Sequence, residues 1–436
     1  MAAIAYAAPL KPIRLSHAVI VFAGNGLEFY DFLSYALFSV YIGNAFFPAT
    51  DKSVSLLLSL AAFGIGFVTR PVGAIVLGGL GDRIGRKPAM LISFLLMGIG
   101  MLGLALTPGY AVIGLAAPIL AILFRLIQGF ALGGDVGPTT AYMVEAAPRD
   151  RRGLYGSMQL TTQNAASALA ALVALALSSA LGPEQMQAWG WRITFLLGVV
   201  IVPFGLYLRN SLPETLHAAD DAALAPDATT GALSMTGRIG QHWRMIVLGL
   251  VLITCGTIGW YVLTYLTTYA LDTLHMTADV SFAVTAITSV FAVAFGPVSG
   301  VLSDRFGRKP IVLLGYAATF VSVLPAFWLI NRYPSPLMLY SAMSFVTVLF
   351  TVATTPFIVS LTEGLPPNIR SGAVATVYAV AVTIFGGSTQ FAIKGLIRLT
   401  HNPLAPAWYW MGALALGLGA AALMRETAPV KTGIAP

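Results

Sequence analysis

Five ionisable side chains lie in stretches of the chain that are otherwise almost wholly apolar. They are Glu28, Asp31, Arg70, Arg125 and Asp135, and the first two stand three residues apart in GNGLEFYDF. An ionised side chain at the centre of a bilayer costs about 2.5–3.5 kcal/mol, so five unpaired charges would cost on the order of 12–18 kcal/mol. If these runs are membrane helices, the five side chains are expected to face one another or a wet cavity.

The composition places these charges in an integral membrane protein. Of the 436 residues, 57% are hydrophobic and only 9% are charged, whereas a soluble domain carries about 25% charged residues. The net charge of +7 does not require a nucleic-acid partner, because basic residues accumulate on the cytoplasmic loops of membrane proteins. The single cysteine, Cys255, excludes an internal disulfide.

A spanning helix needs about 20 predominantly apolar residues, and turn-forming Pro and Gly residues separate the runs of that kind. The polar stretch 210–243 is expected to be a cytoplasmic linker between an N-terminal half, 1–209, and a C-terminal half, 244–436. We expect an all-α membrane protein with twelve transmembrane helices in two six-helix pseudo-symmetric halves. We number them spans 1 to 12, at approximately 17–47, 54–80, 89–107, 111–146, 154–181, 190–208, 244–272, 279–302, 309–331, 335–362, 372–399 and 405–424.

The basic residues predict the orientation. With the N-terminus inside, 17 Lys and Arg residues fall on the cytoplasmic side and 5 on the other; with Arg70 and Arg125 inside spans, these make up all 24. This bias predicts that both termini are cytoplasmic, in a multi-pass protein of the cell's inner membrane. The apolar run after Lys11 and Arg14 is interpreted as a retained first helix and not as a cleaved signal.

Two sequence patterns repeat six spans apart. GGLGDRIGRKP (78–88) recurs as GVLSDRFGRKP (300–310), at an offset of 222 residues, and EAAPRDRRG (145–153) corresponds to EGLPPNIRSG (363–372). This indicates a duplicated six-helix unit. Repeats of this kind with a substrate site at their interface are common in secondary transporters.

The repeated loops are predicted to form a cytoplasmic gate. A glycine allows a tight turn, and an aspartate can accept hydrogen bonds from neighbouring arginines or from the first amides of a helix. The alternative is that the loops only supply positive charge around a glycine turn. The candidate gating residues are Asp82, Arg83, Gly85, Arg86, Glu145, Arg152, Asp304, Arg305, Gly307, Arg308, Glu363 and Arg370.

These features together resemble the major facilitator superfamily. The twelve spans, the central loop and the paired DRxGRK loops match its pattern, and RLIQGFALGGD (125–135) is similar to its fourth-helix motif. GNGLEFYDF, TRPVGA (69–74) and FGGSTQF (385–391) look like the metabolite–proton symporter branch. Members of that branch carry citrate, tricarballylate, 2-oxoglutarate, shikimate, and proline or betaine.

Within the branch, GTIGWYVLTYLTTY (256–269) and NPLAPAWYW (402–410) look most like the citrate and tricarballylate members. Two positions depart from the branch pattern. Lys394 stands where an uncharged residue is expected, and Asp135 stands where much of the branch has glutamate.

Helical geometry places the charges of spans 1 and 4 on defined faces. At 100° per residue, Asn25, Glu28, Asp31 and Tyr35 share one face of span 1. Arg125, Gln128 and Asp135 share one face of span 4, together with Thr139 and Tyr142. Both spans line the cavity in the superfamily, so the resemblance implies that these faces meet.

The charge sum points to a proton site. Three acids and two arginines leave one negative charge in excess, and burial disfavours an ionised carboxyl group. We favour Asp31 or Asp135 as the proton site and Arg125 as the partner of the ionised acid. A static ion-pair network is the alternative. Glu28 is a further candidate, which could instead support helix–helix contacts, and Arg70 could simply hold its helix to a neighbour.

Hydroxyl, amide and basic groups along the spans suit an anionic substrate rich in oxygen. Ordinary interhelical hydrogen bonding is the alternative for each of them, and for the neighbouring Arg398 a position at the headgroups is favoured. The candidate substrate-binding residues are Asn25, Tyr30, Tyr35, Arg70, Gln128, Gln159, Thr162, Gln163, Tyr261, Tyr265, Tyr269, Thr355, Ser388, Gln390 and Lys394.

We therefore predict a monomeric, proton-coupled secondary transporter that imports a di- or tricarboxylate, such as citrate or tricarballylate, by alternating access. An osmolyte or another metabolite (proline, betaine, shikimate) and drug or metabolite export are alternatives. An enzyme is not expected, because the five histidines are scattered and no HExxH, GxSxG or P-loop motif occurs. No cofactor or metal is expected. A channel is disfavoured by the mixed buried charges, and a receptor without flux is not distinguished by sequence.

Overall fold

The computed structural model describes residues 26, 29–84, 86–134, 147–210, 243–365 and 367–432, and all regular elements in these ranges are helices. The linker 210–243 therefore lies almost wholly outside the described residues. Side chains are described in the same ranges except at 78–79, 81–84, 86–90, 134, 149, 201, 204–210, 367–372 and 375.

In the N-terminal half the helices follow the predicted spans in order. Residues 29–37 are helical and belong to span 1. The other elements are Ser39–Phe46 (span 1), Lys52–Ile65 and Arg70–Ile84 (span 2), Arg86–Leu106 (span 3), Tyr110–Ile113, Ala116–Ala131 and the 3-10 turn Leu132–Gly134 (span 4), the 3-10 turn Arg149–Arg151, Arg152–Ala180 (span 5), Pro183–Gln185, the π-helical turn Met186–Gly190 and Trp191–Asn210 (span 6).

In the C-terminal half the same correspondence holds. Spans 7 and 11 are each divided into shorter helices. The elements are Trp243–Thr264 and Leu266–Asp272 (span 7), Ala278–Phe306 (span 8), Arg308–Arg332 (span 9), Pro336–Gly364 (span 10), Pro367–Ala381, the π-helical turn Val382–Gly386 and Gly387–Thr400 (span 11), Ala405–Leu423 (span 12) and a final turn, Pro429–Thr432.

The helices have the length and composition of membrane spans. Within the described ranges, 8 helices are long and apolar enough to cross a membrane, and they correspond to spans 2, 5 and 7–12. Two shorter apolar helices, Leu91–Leu106 and Ala116–Ala131, correspond to spans 3 and 4. Many large apolar side chains are exposed on the outside of the bundle, such as Leu314 at 68% and Val321 at 70%, which is where lipid contacts a spanning helix.

Span 4 differs from its predicted extent at its N-terminal end. The prediction starts the helix at 111, but the structure has a separate turn, Tyr110–Ile113, followed by Gly114 with φ of 58°. Glycine adopts this left-handed conformation at little cost. The chain therefore changes direction at Gly114, and the main helix starts at Ala116.

Span 2 is interrupted at the place where it positions a charged side chain. Its first helix starts at a cap in which Asp51 Oδ1 accepts a hydrogen bond from the Ser53 amide at 2.8 Å. The helix ends at Ile65, and the second starts at Arg70. In the interruption, Thr69 Oγ1 donates to the Leu126 carbonyl of span 4 at 2.7 Å, so the start of the Arg70 helix is fixed against span 4.

Small residues bring spans 2 and 4 into backbone contact beside this interruption. A methyl group on Gly129 would overlap the Gly66 carbonyl, and one on Gly73 would overlap the Phe130 carbonyl. Close approach through small residues is the usual way in which membrane helices pack. The buried apolar side chains as a whole form two clusters, one made mainly from each half of the chain.

Candidate functional site

A cavity of about 70 Å³ lies between the two halves. Span 5 and Phe29 line it from the N-terminal half, and spans 7, 8, 10 and 11 line it from the C-terminal half. Among the described residues, its lining contains no Asp, Glu, Lys or Arg side chain. The polar groups are hydroxyls, amides and the rings of Trp260, Tyr261 and Tyr378, which can hydrogen-bond a polar ligand from several sides.

Arg70 lies directly behind this lining. Its guanidinium carbon is 5.6 Å from the centre of the Tyr378 ring, and it is within electrostatic range of the Tyr261 hydroxyl. The side chain is only 4% exposed, and among the described residues Nη2 has no hydrogen-bond partner and no acid pairs with the guanidinium. A buried positive charge without an anion is costly, so a cation with no acidic partner in the described part of the chain can serve as the counter-charge of an anionic ligand.

Asp31 and Arg125 are both fully buried, but they are joined through a third residue. Arg125 Nη1 donates to Gln128 Oε1 at 2.8 Å, and Gln128 Nε2 donates to Asp31 Oδ1 at 3.1 Å. Asp31 Oδ2 has no partner among the described residues. A neutral, protonated Asp31 fits this arrangement, because a buried carboxylate with one hydrogen bond is costly.

Aromatic rings surround the guanidinium group of Arg125. Its guanidinium carbon lies 4.6 Å from the ring centres of both Phe32 and Tyr35, and 5.3 Å from that of Phe63. Such cation–π contacts stabilise a desolvated arginine. The sequence predicts that Arg125 is the partner of the ionised acid, Asp31 or Asp135. In this structure Gln128 joins Asp31 to Arg125, and the proton role of these residues stays a prediction.

A layer of aromatic side chains separates the Asp31–Gln128–Arg125 network from the cavity. Phe63 and Phe67 lie 6.0 and 5.7 Å from Tyr261 between ring centres, and Phe32 lies 4.5 Å from Phe67. Tyr261 belongs to both the layer and the cavity lining. Tyr261 therefore contacts both the aromatic residues packed around the network and the cavity.

Only some of the predicted substrate residues line the cavity. Gln163 and Tyr261 do so. Tyr30 donates to the Thr194 carbonyl at 3.3 Å and Tyr35 to the Ser59 carbonyl at 3.3 Å, both away from the cavity. Gln159 is buried and Thr162 donates to its carbonyl at 3.0 Å.

The remaining predicted residues of the C-terminal half are bound within or between helices, or are buried, and do not line the cavity. Tyr269 donates to the Pro403 carbonyl at 2.8 Å, Thr355 to the Thr351 carbonyl at 3.2 Å, and Ser388 to the Ile384 carbonyl at 2.6 Å. Tyr265 and Gln390 are buried, and each has a side-chain oxygen without a partner among the described residues. Lys394 is bound to Asp272. The structure brings none of these residues to the cavity lining.

Several candidates lie outside the described residues. They are Asn25, Glu28, Gly85, Asp135 and Glu145. Four further gating candidates have a described backbone but no described side chain, namely Asp82, Arg83, Arg86 and Arg370.

The second DRxGRK loop connects the two halves on the predicted cytoplasmic side. Asp304, near the end of span 8, accepts hydrogen bonds from the Gly153 and Leu154 amides at 2.8 and 3.0 Å. These amides begin span 5, so the carboxylate caps the positive end of a helix in the other half. Gly153 and Gly300 meet backbone to backbone beside it.

Arg308 joins this contact to span 10. It lies 2.6 Å from Asp304 Oδ1 and 3.3 Å from Glu363 Oε1, and it is fully buried. Gly307 has φ of 101°, a backbone conformation that favours glycine. It allows the tight turn between the end of span 8 and the start of span 9. Arg305 is exposed, and Arg152 is half-buried at the start of span 5.

Sequence reasoning missed two parts of this arrangement. Thr285, Thr288 and Ser289 of span 8 line the cavity, and their helical spacing in AVTAITSV was a signal that could have been used. Glu426 accepts hydrogen bonds from the first amides of span 9, those of Arg308 and Lys309, at 2.9 and 3.1 Å. No pattern in the sequence singles out this C-terminal acid.

Asp304→Asn is expected to loosen the contact between the halves. The amide keeps the shape but loses the charge-assisted hydrogen bonds to span 5, and a shift towards the cytoplasm-open state of roughly ten- to a hundredfold follows. A cysteine at Thr288, which lines the cavity, should then react faster with an impermeant maleimide in inside-out vesicles. Asp279→Asn, at the exposed other end of the same helix, is the matched control, and equal rates in the two variants would contradict the gating role.

Comparison with known proteins gives a consistent result. The sequence profile of the Major Facilitator Superfamily matches residues 26–392. A citrate-proton symporter of Salmonella typhi is 35% identical over 405 residues, which are 93% of this chain and 92% of the relative. A proline/betaine transporter of Salmonella typhimurium is 31% identical over 441 residues, covering 96% of this chain and 87% of the relative.

Among solved structures, the crystal structure of a D-xylose-proton symporter superposes with a TM-score of 0.75 at 21% sequence identity. The match covers 96% of this chain and 99% of that chain. At this identity the similarity concerns the fold.

Proposed function

This chain belongs to the Major Facilitator Superfamily, and from that premise we propose that it imports a small organic anion together with protons, by alternating access. The predicted family and the predicted all-α membrane fold are thereby confirmed. The chain is a multi-pass membrane transporter and not an enzyme. The substrate class that we propose is a di- or tricarboxylate such as citrate, as in the name of the Salmonella typhi relative.

The observation that carries the anion proposal is the state of Arg70. It is a buried cation that has no acidic partner among the described residues and that lies behind two tyrosines of the cavity lining. A carboxylate bound in the cavity would neutralise it, and a guanidinium can bind a carboxylate with two parallel hydrogen bonds. Hydroxyls of spans 8 and 10 would supply further donors to the remaining oxygens.

The proton proposal is supported by Asp31. Its Oδ2, which has no partner in the described ranges, and its link through Gln128 to Arg125 suit an acid that gains and loses a proton in the transport cycle. On losing its proton, Asp31 would attract the Arg125 guanidinium and rearrange the aromatic residues packed around it. Because Tyr261 contacts these residues and also lines the cavity, a change in the protonation state of Asp31 would alter the ligand site.

We place the protein in the inner membrane of a bacterial cell, as bacterial relatives support. The distribution of basic residues predicts that both termini are cytoplasmic. The two six-helix halves, 1–209 and 244–436, would rock about the central cavity. Asp304 and Arg308 would close the cytoplasmic side. The transporter is proposed to work as a monomer.

A zwitterionic osmolyte is the second candidate substrate. A proline/betaine transporter is among the relatives, and Phe29, Trp260, Tyr261 and Tyr378 line the cavity. Aromatic faces attract quaternary ammonium groups, while Arg70 could hold the carboxylate of the same molecule.

A thermal-shift panel on the purified protein separates these substrates. The panel contains citrate, tricarballylate, cis-aconitate, 2-oxoglutarate, shikimate and betaine. A ligand present at about a hundred times its Kd stabilises the folded state by about 2.7 kcal/mol, which raises Tm by a measurable amount. We expect citrate or a related tricarboxylate to give the largest rise, and stabilisation by betaine alone would contradict the anion proposal.

A further inference from the structure

An ion pair between spans 7 and 11 has no place in the proton path or in the cavity lining. Lys394 Nζ lies 2.5 Å from Asp272 Oδ2, and the two side chains are only 7% and 19% exposed. Asp272 ends the second helix of span 7, and Lys394 lies in the last helix of span 11. The pair therefore joins two helices of the C-terminal half near their predicted outer ends.

Two contacts between the halves lie one helical turn away from this pair. Four residues before Asp272, the Thr268 hydroxyl shares a buried hydrogen bond of 3.0 Å with Ser39 of span 1. Four residues after Lys394, Arg398 Nη2 donates to Asp51 Oδ2 at 3.0 Å at the start of span 2. Residues four apart lie on the same face of a helix. Each member of the ion pair therefore lies one turn from the residue of its own helix that contacts the N-terminal half.

Neither contact between the halves is strong by itself. The Arg398–Asp51 pair has side chains that are 45% and 50% exposed, and such surface pairs contribute little. The Ser39–Thr268 contact is one neutral hydrogen bond. Both form together only when spans 7 and 11 are held in one relative position, and the Asp272–Lys394 pair is placed to fix that position.

We propose that Asp272 and Lys394 are the positioning residues of the outer gate. While they are paired, spans 7 and 11 move as one body and close the outer side through Thr268 and Arg398. When the pair separates, the two helices become independent and both contacts are released. This inference rests on the alternating access of the proposed function, but it does not depend on the identity of the substrate.

Unpartnered polar atoms nearby give each member of the pair a second partner. Gln390 lies one turn before Lys394 on the same helix, and its Oε1 has no hydrogen-bond partner among the described residues. The Tyr265 hydroxyl is likewise unpartnered within the described ranges and is within electrostatic range of Asp272. After separation, the Lys394 ammonium can bind Gln390 Oε1 and the Asp272 carboxylate can accept from Tyr265. Both charged groups then have hydrogen-bond partners in the open state as well as in the closed one, as a two-state gate requires.

Outer-side accessibility of the cavity tests this inference without any substrate. Cys255, the single cysteine of the sequence, is only 1% exposed. Labelling of a cysteine introduced at Thr288 therefore measures access to the cavity without a contribution from Cys255. Right-side-out cells are treated with an impermeant maleimide. We expect Lys394→Met and Asp272→Asn each to raise the labelling rate about tenfold, because each removes one partner of a buried pair. Arg332→Gln, an outer-side cation whose guanidinium lies over the Tyr333 ring, is the control.

Exchange of the two charges separates positioning from substrate binding. The double variant Asp272→Lys with Lys394→Asp restores the pair and is expected to label at the parental rate. Parental labelling in both single variants, or fast labelling in the exchanged variant, would overturn the inference. If the single variants fail to fold, as judged by their unfolding midpoints, the labelling rate of the exchanged variant is the test. A parental rate supports the inference, and a fast rate overturns it. A Lys394 that instead binds substrate would leave labelling unchanged and would abolish the thermal shift by citrate, which would also overturn the inference.

Discussion

Asp31→Asn is expected to lose all proton-driven accumulation of substrate while it still binds and exchanges it. Asparagine has the shape of a protonated aspartic acid, so the variant is fixed in a state that resembles the protonated one. For each proton carried, one pH unit of gradient, about 1.4 kcal/mol, supports a concentration ratio of about tenfold. In the variant this ratio is expected to fall to one.

The physical reason lies in the contacts of the Asp31 side chain. The carboxyl group is fully buried, accepts one hydrogen bond from Gln128, and has one oxygen without a partner among the described residues. The asparagine amide of the variant keeps an acceptor for Gln128 and cannot ionise at any physiological pH. The variant is therefore expected to fold with nearly the parental stability.

The measurement is transport in proteoliposomes under two conditions. Uptake against a gradient is driven by an imposed inward proton gradient, and exchange is measured as counterflow with equal pH on both sides. We expect the first to vanish and the second to persist in Asp31→Asn, with Asp279→Asn as the exposed-acid control. Full proton-driven uptake by the Asp31 variant would remove this residue from the proton path.

Arg70→Gln is expected to produce the largest loss of substrate affinity. Truncating one partner of a buried, hydrogen-bonded charge pair costs about 2–5 kcal/mol, so the Kd for the anion should rise roughly thirtyfold to several thousandfold. Arg70→Lys keeps the charge without the planar fork of the guanidinium. Its Kd for the anion is expected to lie between that of the parental protein and that of Arg70→Gln. Isothermal titration of the purified variants with citrate measures the change.

The stability of the empty protein distinguishes a ligand-binding Arg70 from a structural one. In the structure this guanidinium contacts the Tyr378 ring and has no described acidic partner. If no acid pairs with Arg70 in the folded protein, as is the case among the described residues, its removal should leave the unfolding midpoint unchanged or raise it. A midpoint that falls by many degrees in Arg70→Gln, with citrate affinity retained, would show that Arg70 only holds span 2 in place.

Features that depend on local pattern were predictable from the sequence. The apolar runs predicted the order of the spans, and the turn at Gly307 followed from the repeated loop. The shared face of Arg125 and Gln128 followed from their three-residue spacing, and the two residues are in fact hydrogen-bonded. In each case the governing interaction lies within one helix or one turn.

Features that depend on pairing between distant helices were not predictable. The sequence predicted Arg125 as the partner of an ionised Asp31 or Asp135, but it did not predict that Gln128 joins Asp31 to Arg125, with a side chain that reaches both groups. Lys394 was predicted to be available for substrate, and its pairing with Asp272, 122 residues away, depends on how spans 7 and 11 pack. No spacing rule in a single sequence encodes such contacts.

Coupling between the uptake of a small organic anion and protons can be measured in a single reconstituted system. Purified protein is reconstituted into liposomes with an internal pH dye, and citrate is added outside under an imposed inward proton gradient. We expect citrate to accumulate above its external concentration, its addition to accelerate internal acidification, and a protonophore to abolish accumulation. Citrate that only equilibrates across the membrane, with no effect on internal pH, would contradict this coupling, as would proton-coupled accumulation of betaine in place of citrate and the other anions.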